Sequence, residues 1–514
     1  MSTTCRLTER ERAWFYYGLP SQPKLVARSS STLCRFGVDG WSSDPKTLTV
    51  VGPHDIVGKW NDDPSSLRNQ VLDILTREKV DWQAVDVLRI GYVGHEMPVI
   101  LSISVAPDTL SWALGDQVAG HCRSALLEHG LDVHCEIKES RLASLANAPA
   151  VLQQNLHKHP DYYHSYMYEL SDRLGTSIAS LDEPRREGTK GLYLRQAGGK
   201  STEIFALTCR HVCYGERETG HRLPTDMTLP SKGIIHLPEK THDRLVAELE
   251  GFKYEVAKEV LAEENRGEAC DKEKRSWKMV KYKQEIDETD DFLRHFDRRK
   301  HLSTRVLGHV AYTRRYEVRP PGFLSDWCLV HLDADYHERP LSDLSNRVYI
   351  DGPDLKKRFG ARTSKANIQD LDHDGTLQIQ GIVAVSELLD SKRTRIVGMR
   401  GRTSGVRFGL FNQVKSVVRR TTEGGPTFVS RECCIVPDSA KAGAVFTQKG
   451  DSGACVFDLE GRAVGMVTGG ITREELLEGN DDYDLDRAVD VTYVTPMEWL
   501  LADMKACGLL LEVV

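Results

Sequence analysis

From about residue 175 onward the chain is a succession of short apolar, β-branched runs separated by glycine or polar turns. GTSIASL, KGLYLRQ, EIFALTC, HVAYTRRYEV, DWCLVHL, GIVAVSEL, RIVGMRGR, SVVRRT, RECCIVP, GACVFDL, AVGMVTG and VTYVTP follow one another in this order. Many short strands with turn signals between them predict a sandwich or a barrel. One stretch breaks the pattern. Residues 239–300 carry 17 acidic and 15 basic residues and no proline. Leu245, Leu249, Phe252, Val256 and Val260 recur there every three or four residues, which predicts a helix, and a second helix is expected around Trp277–Phe296 after the RGEACD turn. A charged helical hairpin projecting from the β-rich region follows. Balanced charge on helices is an ordinary solvated surface, and a docking arm is the functional alternative.

Residues 1–150 have a different texture. Asp63-Pro64 ahead of SSLRNQVLDILTRE marks a helix start, with Asp63 as cap and Leu67, Val71, Ile74 and Leu75 on one face. VDVLRIGYVG and PVILSISVAP read as strands around a short turn, GDQVAGHCRSALLEHG as a helix stopped by Gly130, and DVHCEIKE as a further strand. This predicts an α/β accessory domain without chemistry of its own. Residues 151–171 are a connector, and His157, His159 and His164 in that neighbourhood lack metal-ligand spacing.

Bulk properties narrow the function. A length of 514 residues allows several domains, and a net charge of −7 argues against a nucleic-acid binder driven by charge. No apolar run approaches the length needed to span a bilayer. The opening MSTTCRLTERERAWFYYGLP lacks a basic patch followed by an apolar stretch, so an intracellular, cytoplasmic location with reduced thiols is expected. The 12 cysteines contain no CxxC pair, and no metal site or cofactor is expected. Asp370, Asp372 and Asp374 before Gly375 open like a calcium loop, but Gly381 stands where that loop needs Glu, so the stretch is read as an acidic turn. The acidic GNDDYDLD stretch (479–486) is read as a solvated loop.

The turn TQKGDSGAC (447–455) raises the question of a nucleophile. A serine nucleophile needs a base within hydrogen-bond reach, and the base needs a carboxylate to orient it. EIFALTCRHVC places His211 at the end of an apolar strand, SDWCLVHL places Asp326 just before another, and GDSG supplies Ser452.

These segments resemble the triad motifs of the trypsin-like, chymotrypsin-fold serine proteases, in the order His, Asp, Ser. GRTSGVRFG (401–409) is similar to the family's Gly-Arg-Thr-Thr-Gly turn, VGMVTGG to its substrate-binding strand, and VTYVTPMEWLLADM to its closing strand and C-terminal helix. The resemblance spans roughly residues 172–506, leaves 507–514 as a tail, and is nearest to the intracellular, disulfide-poor members. It implies a double six-stranded β-barrel carrying the hairpin insertion, beside the N-terminal α/β domain. It also implies a catalytic triad of His211, Asp326 and Ser452, an oxyanion hole from the N–H groups of Gly450 and Ser452, and pairing of substrate backbone with Thr468, Gly469 and Gly470. The pocket floor falls near Phe446.

Two departures are expected to matter. Val212 stands where secreted members carry a cysteine, so Cys209 and Cys213 should form no such disulfide. No Ile-Val-Gly-Gly segment exists to form a new N-terminus that pairs with Asp451, which must find another partner or point outward. The expected function is a serine endopeptidase acting on protein or peptide substrates, with regulatory partners engaging the N-terminal domain or the hairpin. The alternatives are a catalytically silent scaffold of the same fold and an enzyme whose main substrate is its own chain.

Overall fold

The computed structural model describes residues 7–31, 34–35, 44–146, 168–198, 203–217, 219–265, 272–350, 355–363, 367–422, 425–438, 442–473 and 488–514. It is a mixed α/β molecule dominated by two large sheets of thirteen and ten strands. The expectations for the connector histidines, for the hairpin turn and for residues 479–486 fall outside the described residues.

The N-terminal part is built on strands Leu25–Arg28, His134–Glu139, Val99–Val105 and Trp82–Tyr92, side by side in that order, with Lys46–Thr49 also pairing Trp82–Tyr92. Helices Ser66–Arg77 and Trp112–Glu128 pack Leu67, Val71, Ile74 and Leu75, and Val118, Cys122 and Leu126, into one apolar cluster with these strands. Gly130, at φ +70°, ends the second helix as expected. The cap of the first helix is Ser65, not Asp63: the Arg68 N–H donates to Ser65 Oγ at 3.1 Å. Asp63 is drawn instead to Arg431, at 2.9 Å.

The edge of this unit continues into the β-rich region. Trp82–Tyr92 pairs with Ser416–Thr421 through Val85↔Val417 and Ala84↔Val418. The sheet then runs through Thr427–Pro437, Gly405–Phe411, Arg395–Gly401, Cys455–Asp458, Ala463–Thr472 and Val489–Pro496. Val489–Pro496 pairs back onto Thr427–Pro437 through Cys433↔Val494, so these six strands curl round on themselves. GIVAVSEL is not a strand. It makes one isolated bridge at Ile382 and then turns into a short helix, Val385–Leu388, whose first N–H donates to Glu498 Oε2 at 2.7 Å. A tertiary acceptor overrides the β-branched composition there.

The second sheet orders Leu511–Val513, Tyr193–Gln196, Ile204–Thr208, Cys328–Leu332, Val306–Thr313, Gly233–His236, Ser177–Ser180 and Glu187–Thr189. Residues 507–514 are therefore no free tail: Leu511–Val513 is the edge strand against Tyr193–Gln196. The insertion forms two helices, Glu239–Glu264 and Lys272–Arg298, with Leu245, Leu249 and Phe296 in a small core of their own. No helix among the described residues is long and apolar enough to cross a membrane.

Candidate active site

Strand pairing brings His211 and Asp326 together. Ile204–Thr208 and Cys328–Leu332 are antiparallel neighbours, with Thr208 opposite Cys328. The residues just beyond that pair, one leaving the first strand and one entering the second, therefore meet, although 115 positions separate them. His211 sits in a short helix, Arg210–Tyr214. The flanks of Asp326 are pinned by the C-terminal helix: Ser325 Oγ and Trp327 Nε1 both donate to Asp503 Oδ2 at 2.8 Å. Asp503 was not singled out in the sequence. Its signal is an acid on the buried face of Met497–Ala506, three residues after Leu500 and next to Met504.

Ser452 arrives from the other sheet, in the turn before Cys455–Asp458. His211 Nδ1 lies 2.7 Å from Asp326 Oδ2, and His211 Nε2 lies 2.8 Å from Ser452 Oγ. The His211 backbone N–H also donates to Asp326 Oδ1 at 3.2 Å. A carboxylate offers acceptors only, so the ring proton belongs on Nδ1, and Nε2 accepts from the serine hydroxyl. Cys209 Sγ lies close enough to join His211 and Asp326 as metal ligands. However, its thiol donates to Val467 O at 3.1 Å, and burial pushes its pKa well up, away from the thiolate that a metal needs.

The turn itself is shaped by its surroundings. Gly450 has φ +104°, and a Cβ there would fall 2.2 Å from Thr403 Oγ1. Asp451 is fully buried and does not point outward. Its Oδ1 accepts from the Thr403 and Ser404 N–H groups at 2.9 and 3.2 Å, and its Oδ2 from Gln448 N–H at 2.8 Å. The GRTSG turn thus supplies backbone donors to Asp451, whose pKa burial raises nonetheless. Behind it, Thr189 Oγ1 donates to Gly450 O at 2.9 Å and accepts from Arg402 N at 3.2 Å. Arg402 pairs with Glu187, which also accepts from the Thr241 N–H and hydroxyl at the root of the hairpin. A continuous set of hydrogen bonds therefore runs from the hairpin to the turn.

The N–H groups of Gly450 and Ser452 converge on one oxygen, the carbonyl of Leu145; the Ser452 contact is 3.4 Å. The chain reaches this point through a short strand, Arg141–Ala143, which adds antiparallel to Ala463–Thr472 with Ala143 opposite Gly470. Gly469 permits the approach: a Cβ there would fall 2.9 Å from Ala143 O. Thr468 sits at an irregularity of its own strand, outside this pairing, with its hydroxyl 3.4 Å from Tyr493 O. Ser144 Oγ donates to Glu216, and Arg420 reaches both groups. Burial works to raise the Glu216 pKa, but the Arg420 charge and the Ser144 hydrogen bond outweigh it and hold it low. Leu145 and Ser452 are both 0% exposed, so the cleft is filled by the chain's own segment. Sequence reasoning missed this segment entirely.

Cys209 and Cys213 are free thiols. Asp370 and Asp374 are drawn to Lys356 and Arg173, at 2.6 and 2.9 Å, as suits an acidic turn. No protein-family model matches the sequence, and no curated protein matches it.

Proposed function

We propose that this chain is a serine endopeptidase on a double barrel of chymotrypsin type. The observation that carries the reading is the buried relay in which His211 bridges Asp326 at 2.7 Å and Ser452 at 2.8 Å. In this reading Ser452 Oγ attacks the acyl carbon while His211 Nε2 takes its proton. Asp326 holds the ring in the required tautomer and stabilises its cationic form. The N–H groups of Gly450 and Ser452 stabilise the oxyanion, and His211 returns the proton to the leaving amine. Water then enters, gives a proton to His211 and hydrolyses the ester. Further support comes from the added strand on Ala463–Thr472, because extended peptides dock on sheet edges in this way. A second reading, a silent scaffold, draws on the complete burial of Ser452.

The test is labelling by a fluorophosphonate probe, which needs an activated serine and little else. It is applied to the wild type and to Leu145→Arg, whose charged side chain vacates the cleft, each with and without Ser452→Ala and His211→Ala. Labelling that disappears with either change supports a His-activated nucleophile. Absence of labelling in the folded Leu145→Arg protein overturns the peptidase reading and leaves the scaffold.

A further inference from the structure

We propose that the chain cuts itself in cis, between Leu145 and Ala146. This rests on the peptidase reading of Ser452. Arg141, Leu142 and Ala143 pair with Thr472, Ile471 and Gly470, in antiparallel register. Two residues after Ala143, the Leu145 carbonyl oxygen takes both donors of the turn, Gly450 N–H and Ser452 N–H. A carbonyl held by that pair of donors, one of them the N–H of the same serine whose hydroxyl is hydrogen-bonded to an imidazole, is polarised for attack. That carbonyl belongs to one peptide bond only, so the geometry selects the position of the cut. The Leu145 side chain is fully buried, and the Ser144 hydroxyl is engaged by Glu216 and Arg420. The site therefore accepts an apolar, branched residue at the cut and a small polar one before it.

The chemistry balances with water as the only co-reactant. Ser452 Oγ bonds to the Leu145 carbonyl carbon as His211 takes the hydroxyl proton. The carbon–nitrogen bond to Ala146 breaks, and the proton passes to that nitrogen, leaving a free amine. Water adds to the Leu145 ester, its proton returns through His211 to Ser452 Oγ, and Leu145 leaves as a carboxylate. The bond already sits in its own cleft, so the reaction is unimolecular and independent of protein concentration.

The cut would not release the N-terminal fragment. Val85 and Ala84 stay paired with Val417 and Val418. Val51 N–H donates to Asn412 Oδ1 at 3.0 Å, Trp60 Nε1 to Lys415 O at 2.9 Å, and Ser21 Oγ to Asp490 Oδ2 at 2.6 Å. Fragments 1–145 and 146–514 should co-elute under native conditions and separate only on denaturation.

The test is a time course on the purified full chain, read after denaturation by intact mass and terminal sequencing. Ser452→Ala, Leu145→Arg and Leu145→Gly run alongside, with fluorophosphonate labelling of every sample. The expected result is a new N-terminus at Ala146 in the wild type, in a fraction unchanged by dilution, and no cut in Ser452→Ala. In Leu145→Gly the cut slows at least ~10-fold, the scale on which apolar pockets discriminate. In Leu145→Arg it is lost while Ser452 still labels. If Leu145→Arg does not fold, Leu145→Gly serves as the labelling control. An intact Leu145–Ala146 bond in wild-type chain, with Ser452 labelled in a Leu145 variant, overturns self-cleavage and leaves the peptidase reading standing. A new terminus elsewhere also overturns it. Absence of both cut and label in every folded sample overturns the two readings together.

Discussion

The turn 447–455 and the segment 141–145 meet at the same oxygen atom, but they are held there in different ways. In the turn, side-chain identity decides everything. Gly450 has a backbone conformation and a crowded Cβ position that exclude other residues, Asp451 is held by three backbone N–H groups, and Ser452 carries the hydroxyl that is hydrogen-bonded to His211. The segment docks mainly through its backbone, by strand pairing and one carbonyl, with Ser144 and Leu145 adding side-chain contacts. A site that needs residue types leaves a signature in sequence, whereas strand addition accepts almost any extended stretch.

The largest effect expected from this contrast is at Gly450. Gly450→Ala puts a methyl group 2.2 Å from Thr403 Oγ1 and 2.8 Å from Arg402 Nη1, at φ +104°. Relief of that clash turns the N–H away from the oxyanion position. Loss of one such donor costs about 10²–10³ in kcat. Turnover of an added peptide in a Leu145→Gly background, and the rate of self-cleavage in the otherwise wild-type chain, should both fall on that scale. Retention of either rate would mean that the turn tolerates side-chain change and that the contrast is false.

The segment should respond to backbone changes instead. Ala143→Pro puts a residue with no N–H and a fixed φ at a position paired with Gly470, which weakens the ladder of the added strand. A ladder hydrogen bond contributes about 0.5–1.5 kcal/mol net, so self-cleavage should slow by roughly threefold to tenfold. Labelling of Ser452 should rise correspondingly in the same protein, because the strand that covers it is loosened. Leu142→Ala, which changes a side chain opposite Ile471 but keeps the N–H, should alter both readouts less than Ala143→Pro does. Equal effects from the two would show that side chains, not backbone, seat the strand.

The same distinction explains what could be read beforehand. The meeting of His211, Asp326 and Ser452 was legible because the nucleophile, base and orienting acid of the proposed reading require particular residue types. The helices Ser66–Arg77 and Trp112–Glu128 were legible from apolar spacing and Gly130. Arg141–Ala143 was not, since RLASLA lacks the alternation of a strand and lies inside the stretch 1–150 that reads as an accessory region. Nor was the edge strand Leu511–Val513, whose partner Tyr193–Gln196 lies more than three hundred positions earlier. GIVAVSEL misled because the Val385 backbone N–H meets the Glu498 carboxylate at the start of a helical turn. Each of these outcomes depends on a partner remote in sequence, which local composition does not contain.

Glu432 offers a test that leaves the reaction aside and reads stability alone, because it extends the side-chain-dependent region into the cleft behind Asp326. It lines that cleft with Arg420, Ser430, Thr468 and Thr495. Burial pushes its pKa from an ordinary 4.5 up to about 7, even though Ser430, the Leu324 N–H and the Arg420 charge all favour the ionised form. A carboxyl raised in the folded state favours folding while protonated. The stabilisation is complete below pH 4.5 and is lost as pH rises through the folded value near 7. The shift corresponds to about 3 kcal/mol across that window. The Leu324 N–H and the Thr495 hydroxyl donate to different oxygens of Glu432; Glu432→Gln keeps one acceptor, for the Leu324 N–H, and places an NH2 that the Thr495 hydroxyl can accept from, yet cannot ionise. Urea unfolding in a Ser452→Ala background, which keeps the chain whole in the proposed reading, should show the Gln variant gaining on its parent between about pH 4.5 and about pH 7. Parallel stability curves across that range would mean that Glu432 is solvated in the folded chain and that the cleft behind Asp326 is open to water.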